Sequence, residues 1–339
     1  MKFCVALKAE QNNNSIIFEP SKNEPDNSWM LTYNPFQNLI FYEEEENTYN
    51  HFILREDIVI TNGVMPNSNI FDLFIPANTY FSFHDPDTKL IPYNIYIHST
   101  SNQYIVYEGV QYNHITLAED GYLIGGTLIE DTVFNEVYLV NTGTVIFTPE
   151  GPQYSTLTEN SEIEINDQQI VFQEGTQLIR RDNGLVRVGT LAHPGLFYNF
   201  VAPMYQNDPN FIQGLLEIPA GATVDLSPEG EVYNYEITTE EETPVTICAG
   251  TIINITTANV RAGKVKYYPN KTIMSGTLAE DITVQFYNNS GEISSKTIFA
   301  GTILEFNPRG ELSGVTINGR NFNLGYFLTT TYPIPRPNN

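Results

Sequence analysis

The sequence predicts an all-β fold: an array of about seven β-hairpin repeats with an N-terminal β cap. Three observations carry this expectation. Short alternating runs of β-branched and aromatic residues recur, as in Phe71-Asp72-Leu73-Phe74-Ile75, Ile163-Glu164-Ile165 and Thr223-Val224-Asp225-Leu226. A two-residue period is what a strand with one buried face requires. No window of eleven or more residues holds an apolar stripe at helical spacing, and 23 glycines and 20 prolines are spread along the chain, which discourages long helices. Finally, the chain repeats itself.

Residues 1–65 fit the repeat poorly and are expected to form the cap or a small β domain. They hold the single tryptophan, Trp29, and the acidic run Glu43-Glu44-Glu45-Glu46. An open ladder end invites pairing with other chains, so a cap is expected in such arrays.

Residues 66–325 are expected to be the array. Each clear copy runs through a first turn glycine, an alternating strand, a second turn glycine and a second strand. The copies are Gly143 to Gly151, Gly175 to Gly184, Gly221 to Gly230 and Gly301 to Gly310, the paired glycines standing eight or nine residues apart. Weaker copies start at Asn78, Gly109 and Gly263. Three residues after the first glycine comes Ile146, Leu178, Val224 or Leu304; two residues after the second comes Val186, Val232 or Leu312, while Gln153 breaks the rule. Each copy therefore reads as a hairpin with apolar residues at fixed places on both strands.

The second turn has a mechanism. Pro149-Glu150-Gly151, Asp182-Asn183-Gly184, Pro228-Glu229-Gly230 and Pro308-Arg309-Gly310 read as type I turns closed by a residue at positive φ. Asn270 is expected to replace that glycine in Tyr268-Pro269-Asn270-Lys271. The unit ends on Thr-Leu, twice followed by Ala-Glu-Asp, at Glu119-Asp120 and Glu280-Asp281; Glu130-Asp131 is nearly the same. Residues 192–214 look like an inserted loop. Whether the hairpins coil into a solenoid or form a stacked, meandering sheet stays open. The Pro-rich tail, residues 326–339, cannot pair in a sheet interior.

The chain carries 40 acidic against 16 basic residues, a formal net charge of −24. Such a polyanion repels phosphates, so no nucleic-acid partner is expected. No signal peptide is visible and no run of eighteen apolar residues occurs, so no membrane insertion is expected. A cytoplasmic, particle-associated or non-classically exported protein fits. The two cysteines, Cys4 and Cys248, make no disulfide framework.

Motifs for chemistry are sparse. His84, Asp85 and Asp87 form the most ligand-like cluster, though Asp and Pro are ordinary turn formers there. The recurring Glu-Asp pairs could line up to hold Ca²⁺, or could simply be solvated turns that keep the sheet edge from pairing. No other cofactor is indicated. No nucleophile elbow and no phosphate-cradling or dinucleotide motif occurs, so an enzyme is not expected. Tyr96, Tyr104, Tyr107 and Tyr112, interleaved with asparagines, read as strand filler or as an aromatic-polar binding face. Glu43–Glu46 and Glu240-Glu241-Glu242 are solvated loops or docking points for a basic partner.

Across about residues 70–317, the recurrent Gly-Thr-x-x-x-Phe-x-x-x-Gly tract resembles bacterial β-hairpin-repeat proteins, with MORN-type arrays the nearest family. The resemblance implies a scaffold or interaction module. Together these readings point to a non-enzymatic structural or interaction protein that presents an acidic β-repeat surface to protein partners or to copies of itself, as in a fibre, sheath or particle. The alternatives are a carbohydrate-binding or polysaccharide-active β protein and an acidic inhibitor of a basic site.

Overall fold

The computed structural model describes residues 5–10, 15–20, 39–42, 49–54, 57–64, 70–76, 79–84, 94–99, 104–117, 123–201, 214–330 and 336–337. Among these, the hairpins pair antiparallel, an isolated bridge between Asn199 and Val232 is parallel, no sheet closes into a barrel, and the single helix is Leu324–Thr329. The chain is thus all-β and rich in hairpins. Among the described residues no helix is long and apolar enough to cross a membrane. Contacts divide the chain into two compact units: residues 1–156 with 182–184, and residues 157–181 with 185–339.

In the first unit, a sheet runs from Gly143–Thr148 through Leu123–Leu128, Val110–Leu117, Asn94–Ser99, Thr79–His84 and Tyr49–Leu54 to Leu39–Tyr42. The strand Val110–Leu117 forks it. Val110, Gln111 and Tyr112 pair with Ile105–Tyr107, while His114 through Leu117 pair with Asn94–Ser99. Ile105, Tyr112, Ile115 and Leu128 fill the core at the fork. The segment read as a cap contributes strands to this same sheet, with Tyr49 opposite His84.

The clear copy at Gly143 differs from the expectation. Gly143 is itself the first strand residue, at φ 126°, so the alternation starts earlier. Val145 points inward and Ile146 is 46% exposed, not buried. The return strand is only Gly151–Pro152. Pro152 fills the buried place one residue earlier, and the Gln153 N–H carries the pairing on to the Ile146 carbonyl at 2.8 Å.

The second unit holds the regular array. Four hairpins stand side by side in one ladder: Gln177–Arg180 with Val186–Thr190, Thr223–Leu226 with Val232–Thr239, Gly263–Tyr267 with Ile273–Thr277, and Ile303–Phe306 with Leu312–Ile317. Arg320–Asn323 ends it. Each ladder hairpin is preceded by another that leaves the ladder: Ser161–Ile165 with Gln168–Phe172, Gly195–Tyr198 with Leu215–Ile218, Thr243–Ile247 with Thr256–Val260, and Ile282–Tyr287 with Ile293–Ile298. The repeat is therefore a pair of hairpins, and segment 192–214, read as a loop, contributes the strand Gly195–Tyr198.

The off-ladder hairpins cover the inner face of the ladder. Val245, Val260, Val284, Phe286 and Ile298 from the cover share one core with Val265, Leu304, Phe306 and Val315 from the ladder. Burial of this apolar area is the main stabilising force. Two ladder glycines make room for it. A Cβ on Gly189 would lie 2.4 Å from the Phe172 ring, and one on Gly276 would lie 2.4 Å from Val260 Cγ1. At the far end, Leu324, Phe327 and Leu328 of the helix close the core. Asn323 caps that helix by accepting the Tyr326 N–H at 2.8 Å.

The second turns form as expected, with Gly184, Gly230 and Gly310 at φ 86°, 79° and 81°. The first turn residue braces the backbone: Ser227 Oγ accepts the N–H groups of Glu229 and Glu231, and Asn307 Oδ1 those of Arg309 and Glu311. In the third ladder hairpin the left-handed residue is Lys271, at φ 65°, and not Asn270. Asn270 instead sits one place earlier and accepts the Thr272 N–H at 3.1 Å.

The Glu-Asp motif closes the base of the hairpin that follows it. Asp281 Oδ1 accepts the Ala300 N–H at 2.8 Å, and Asp131 Oδ1 accepts the Thr142 N–H at 2.7 Å and the Thr142 hydroxyl at 2.9 Å. Asn160 plays the same part for the Glu174 N–H at 2.8 Å.

Candidate functional site on the outer face of the ladder

The outer face of the ladder owes its relief to one device. In every ladder hairpin the return strand carries one residue more than its partner. Ile179 and Arg180 face Val188 and Val186; Asp225 and Leu226 face Asn234 and Val232; Lys266 and Tyr267 face Ser275 and Ile273; Glu305 and Phe306 face Gly314 and Leu312. The extra residues are Arg187, Tyr233, Met274 and Ser313. A bulge bends its strand and re-aims a side chain. Here it places four unlike side chains at one position of the unit.

A groove of about 320 Å³ lies where two of them meet. Its aromatic walls are Phe200, Tyr233 and Tyr268, with Met274 and Pro269 beside them. Asp225, Asn234 and Asn270 supply its polar groups. Phe200 is brought in because the chain leaving Gly195–Tyr198 runs beside the strand Val232–Thr239. Its N–H donates to the Val232 carbonyl at 3.0 Å, and its ring meets Tyr233 edge-on at 4.4 Å. Asn199 pins this segment by accepting the Gly214 N–H at 2.7 Å.

The other walls are fixed as well. The Tyr268 hydroxyl donates to the Phe306 carbonyl at 2.9 Å, and Asn270 Nδ2 donates to the Pro308 carbonyl at 2.8 Å. Asp225 is held more loosely, 3.5 Å from Asn234 Nδ2 and 3.9 Å from Arg187 Nε.

Tyr268 and Met274 also line a wider hollow of about 600 Å³, with Glu236, Lys264, Lys266, Ser275, Thr277 and Glu305 around it. The carboxylates there are engaged. Glu236 sits 2.8 Å from Lys264 Nζ, and this hydrogen bond holds the lysine above its usual pKa. Glu305 accepts from Thr316 at 2.6 Å and from Asn321 at 2.6 and 2.7 Å.

The tyrosines singled out from sequence lie in the first unit and do not form one exposed face. Tyr112 is 1% exposed and Tyr107 9%, both in the core, while Tyr104 is 42% exposed. Burial first, then Tyr107, pushes the Tyr112 hydroxyl pKa up. The strand period explains it, since Tyr112 pairs with buried Ile105 at the sheet fork. Tyr96 and His84 fall in strands whose side chains are outside the description. Glu43–Glu46, Asp85, Asp87, Trp29, Cys4 and the pair Glu119-Asp120 lie outside the described residues. Among the described residues no three His, Cys, Asp or Glu side chains come together. The Glu240–Glu242 run is exposed.

Tyr233, Asn234, Asp225 and Tyr268 were not singled out. A signal for the first existed: it directly follows Val232, the apolar residue fixed two places after the second turn glycine. No protein-family model matches the chain, and no curated protein matches it significantly.

Proposed function

We propose that the protein is a non-enzymatic interaction protein that recognises protein partners, or copies of itself, through the outer face of its hairpin ladder. The supporting observation is the continuity of the two hollows on that face, which share Tyr268 and Met274. A binding surface needs rigid relief with a few fixed polar groups, and the bulge in each ladder hairpin supplies it. The engagement of Glu236 and Glu305 by neighbouring donors favours holding over proton transfer. The resemblance to MORN-type arrays belongs to this proposal, as does a preference for partners that tolerate a net charge of −24.

The test compares two faces of the full chain. One variant carries Lys266→Glu and Ile303→Glu on the ladder; the other carries Thr246→Glu and Thr283→Glu, exposed on the covering hairpins. Photo-cross-linking, with light scattering for self-association, is expected to lose adducts only in the first. Adducts that survive there, or a turnover abolished by one carboxylate substitution, overturn the proposal.

A further inference from the structure

We infer that the narrower groove is a binding site for a neutral oligosaccharide, an inference that rests on the outer ladder face being the recognition surface. A pyranose ring has an apolar C–H face and a rim of hydroxyls that both donate and accept. A site for it needs an aromatic ring for the first, and carboxylate and amide groups for the second.

The groove has both. Tyr233 is a prepared platform: Phe200 meets it edge-on at 4.4 Å and 65°, and its position on the bulge takes it out of the pairing register. Its hydroxyl makes no hydrogen bond among the described residues. Tyr268 is anchored through its hydroxyl at 2.9 Å to the Phe306 carbonyl, so a second ring stands ready. Preorganised rings of this kind lose little freedom when a ligand settles on them.

The polar groups are underused. Both contacts of Asp225, 3.5 Å to Asn234 and 3.9 Å to Arg187, are at or beyond the limit of a good hydrogen bond. The Asn234 side chain makes no other hydrogen bond among the described residues. A carboxylate and an amide so placed can together accept from and donate to neighbouring hydroxyls, and the bonds to the carboxylate are the stronger ones.

Charge selects among sugars. Asp225 and the net charge of −24 repel a uronate or a phosphorylated sugar, and a neutral pyranose meets no such penalty. Length selects an oligomer. From Thr223–Leu226 to Leu312–Ile317 the ladder takes five strand-to-strand steps, about 24 Å at the usual spacing, and the two hollows follow one another along it. Glu236, Ser275, Thr277 and Glu305 offer further hydroxyl partners beyond Tyr268.

The experiment is saturation-transfer NMR and calorimetry on the full chain with cellohexaose, mannohexaose and the hexamer of N-acetylglucosamine, with hexagalacturonate as the charged control and decaproline as the peptide control. At least one neutral hexamer is expected to bind, and hexagalacturonate is not. Tyr233→Ala and Asp225→Ala are expected to weaken binding at least about tenfold. Tyr233→Phe, which keeps the ring, is expected to change it less than about threefold, with thermal melts confirming that each variant folds. No binding of any neutral hexamer at millimolar concentration, binding indifferent to Tyr233→Ala, or binding of decaproline alone overturns the inference. If the hexamers fail while the ladder-face variant still loses its cross-linked partner, only the sugar site falls. If both fail, the recognition surface falls too.

Discussion

Asp281 accepts a 2.8 Å hydrogen bond from the N–H of Ala300, nineteen residues further along the chain, and the hairpin Ile282–Tyr287 with Ile293–Ile298 lies between them. The same clip joins Asp131 to Thr142 and Asn160 to Glu174. Each short polar side chain ties together the two ends of a hairpin, and at Asn160 and Asp281 that hairpin is one of those that leave the ladder.

Asp281→Ala is expected to lower stability by about 1 kcal/mol, the worth of one such side-chain-to-backbone bond. Asp281→Asn should lose much less, since Asn160 performs the same task. Denaturant melts measure both, and an alanine variant as stable as the parent would discard the clip as a stabilising element.

The clip at Asp131 gives a pH dependence. Its bonds from the Thr142 N–H and hydroxyl hold its pKa below the ordinary 3.8. The folded state therefore binds this proton less readily than the unfolded chain. The contribution is fully present above the ordinary value and is lost as pH falls through the depressed folded value. NMR titration of the Asp131 carboxyl should show a midpoint below 3.8, and Thr142→Ala should move it back up. A midpoint at or above the ordinary value would contradict the geometry.

Gly276→Ala is expected to cost about 1–3 kcal/mol through overpacking, because the new methyl would lie 2.4 Å from Val260 Cγ1. Removing the obstruction should restore part of it. The double variant with Val260→Ala should lose less than the sum of the two single losses by about 0.5 kcal/mol or more. Strict additivity would mean that the two residues are not in contact.

Lys271→Gly is expected to stabilise the chain by about 0.5–1 kcal/mol. Lys271 holds φ 65°, a region that strains a residue bearing a Cβ and that glycine enters freely. The reverse change, Gly310→Ala, should destabilise by a similar amount. Equal melting temperatures for Lys271→Gly and its parent would rule this out.

Much of this architecture is legible in the residues. Leu178, Val224, Leu304, Val186, Val232 and Leu312 are buried at the places where the repeat puts them, because a two-residue period and a fixed turn leave no other register. The pairing of ladder and covering hairpins was less visible. Its marks are the small residues Gly189 and Gly276, whose role depends on Phe172 and Val260 from a different hairpin. The aromatic groove escaped for a related reason. Phe200 and Tyr233 are 33 residues apart in sequence and meet only through a backbone bond from one segment to another. Tyr107 and Tyr112 look like surface aromatics by composition, and only the forked sheet decides that they face inward.

The bulge has a consequence for how such a chain can change over generations. Arg187, Tyr233, Met274 and Ser313 occupy one position of the unit with four different chemistries, and none of them belongs to the buried core. Folding places little demand on the identity of a residue that neither fills the interior nor keeps the register. Mutation there is free to explore while the scaffold stays intact, and duplicating a unit adds one more such position to the row. Heritable variation in the chemistry the surface presents is thereby separated from variation in whether the chain folds.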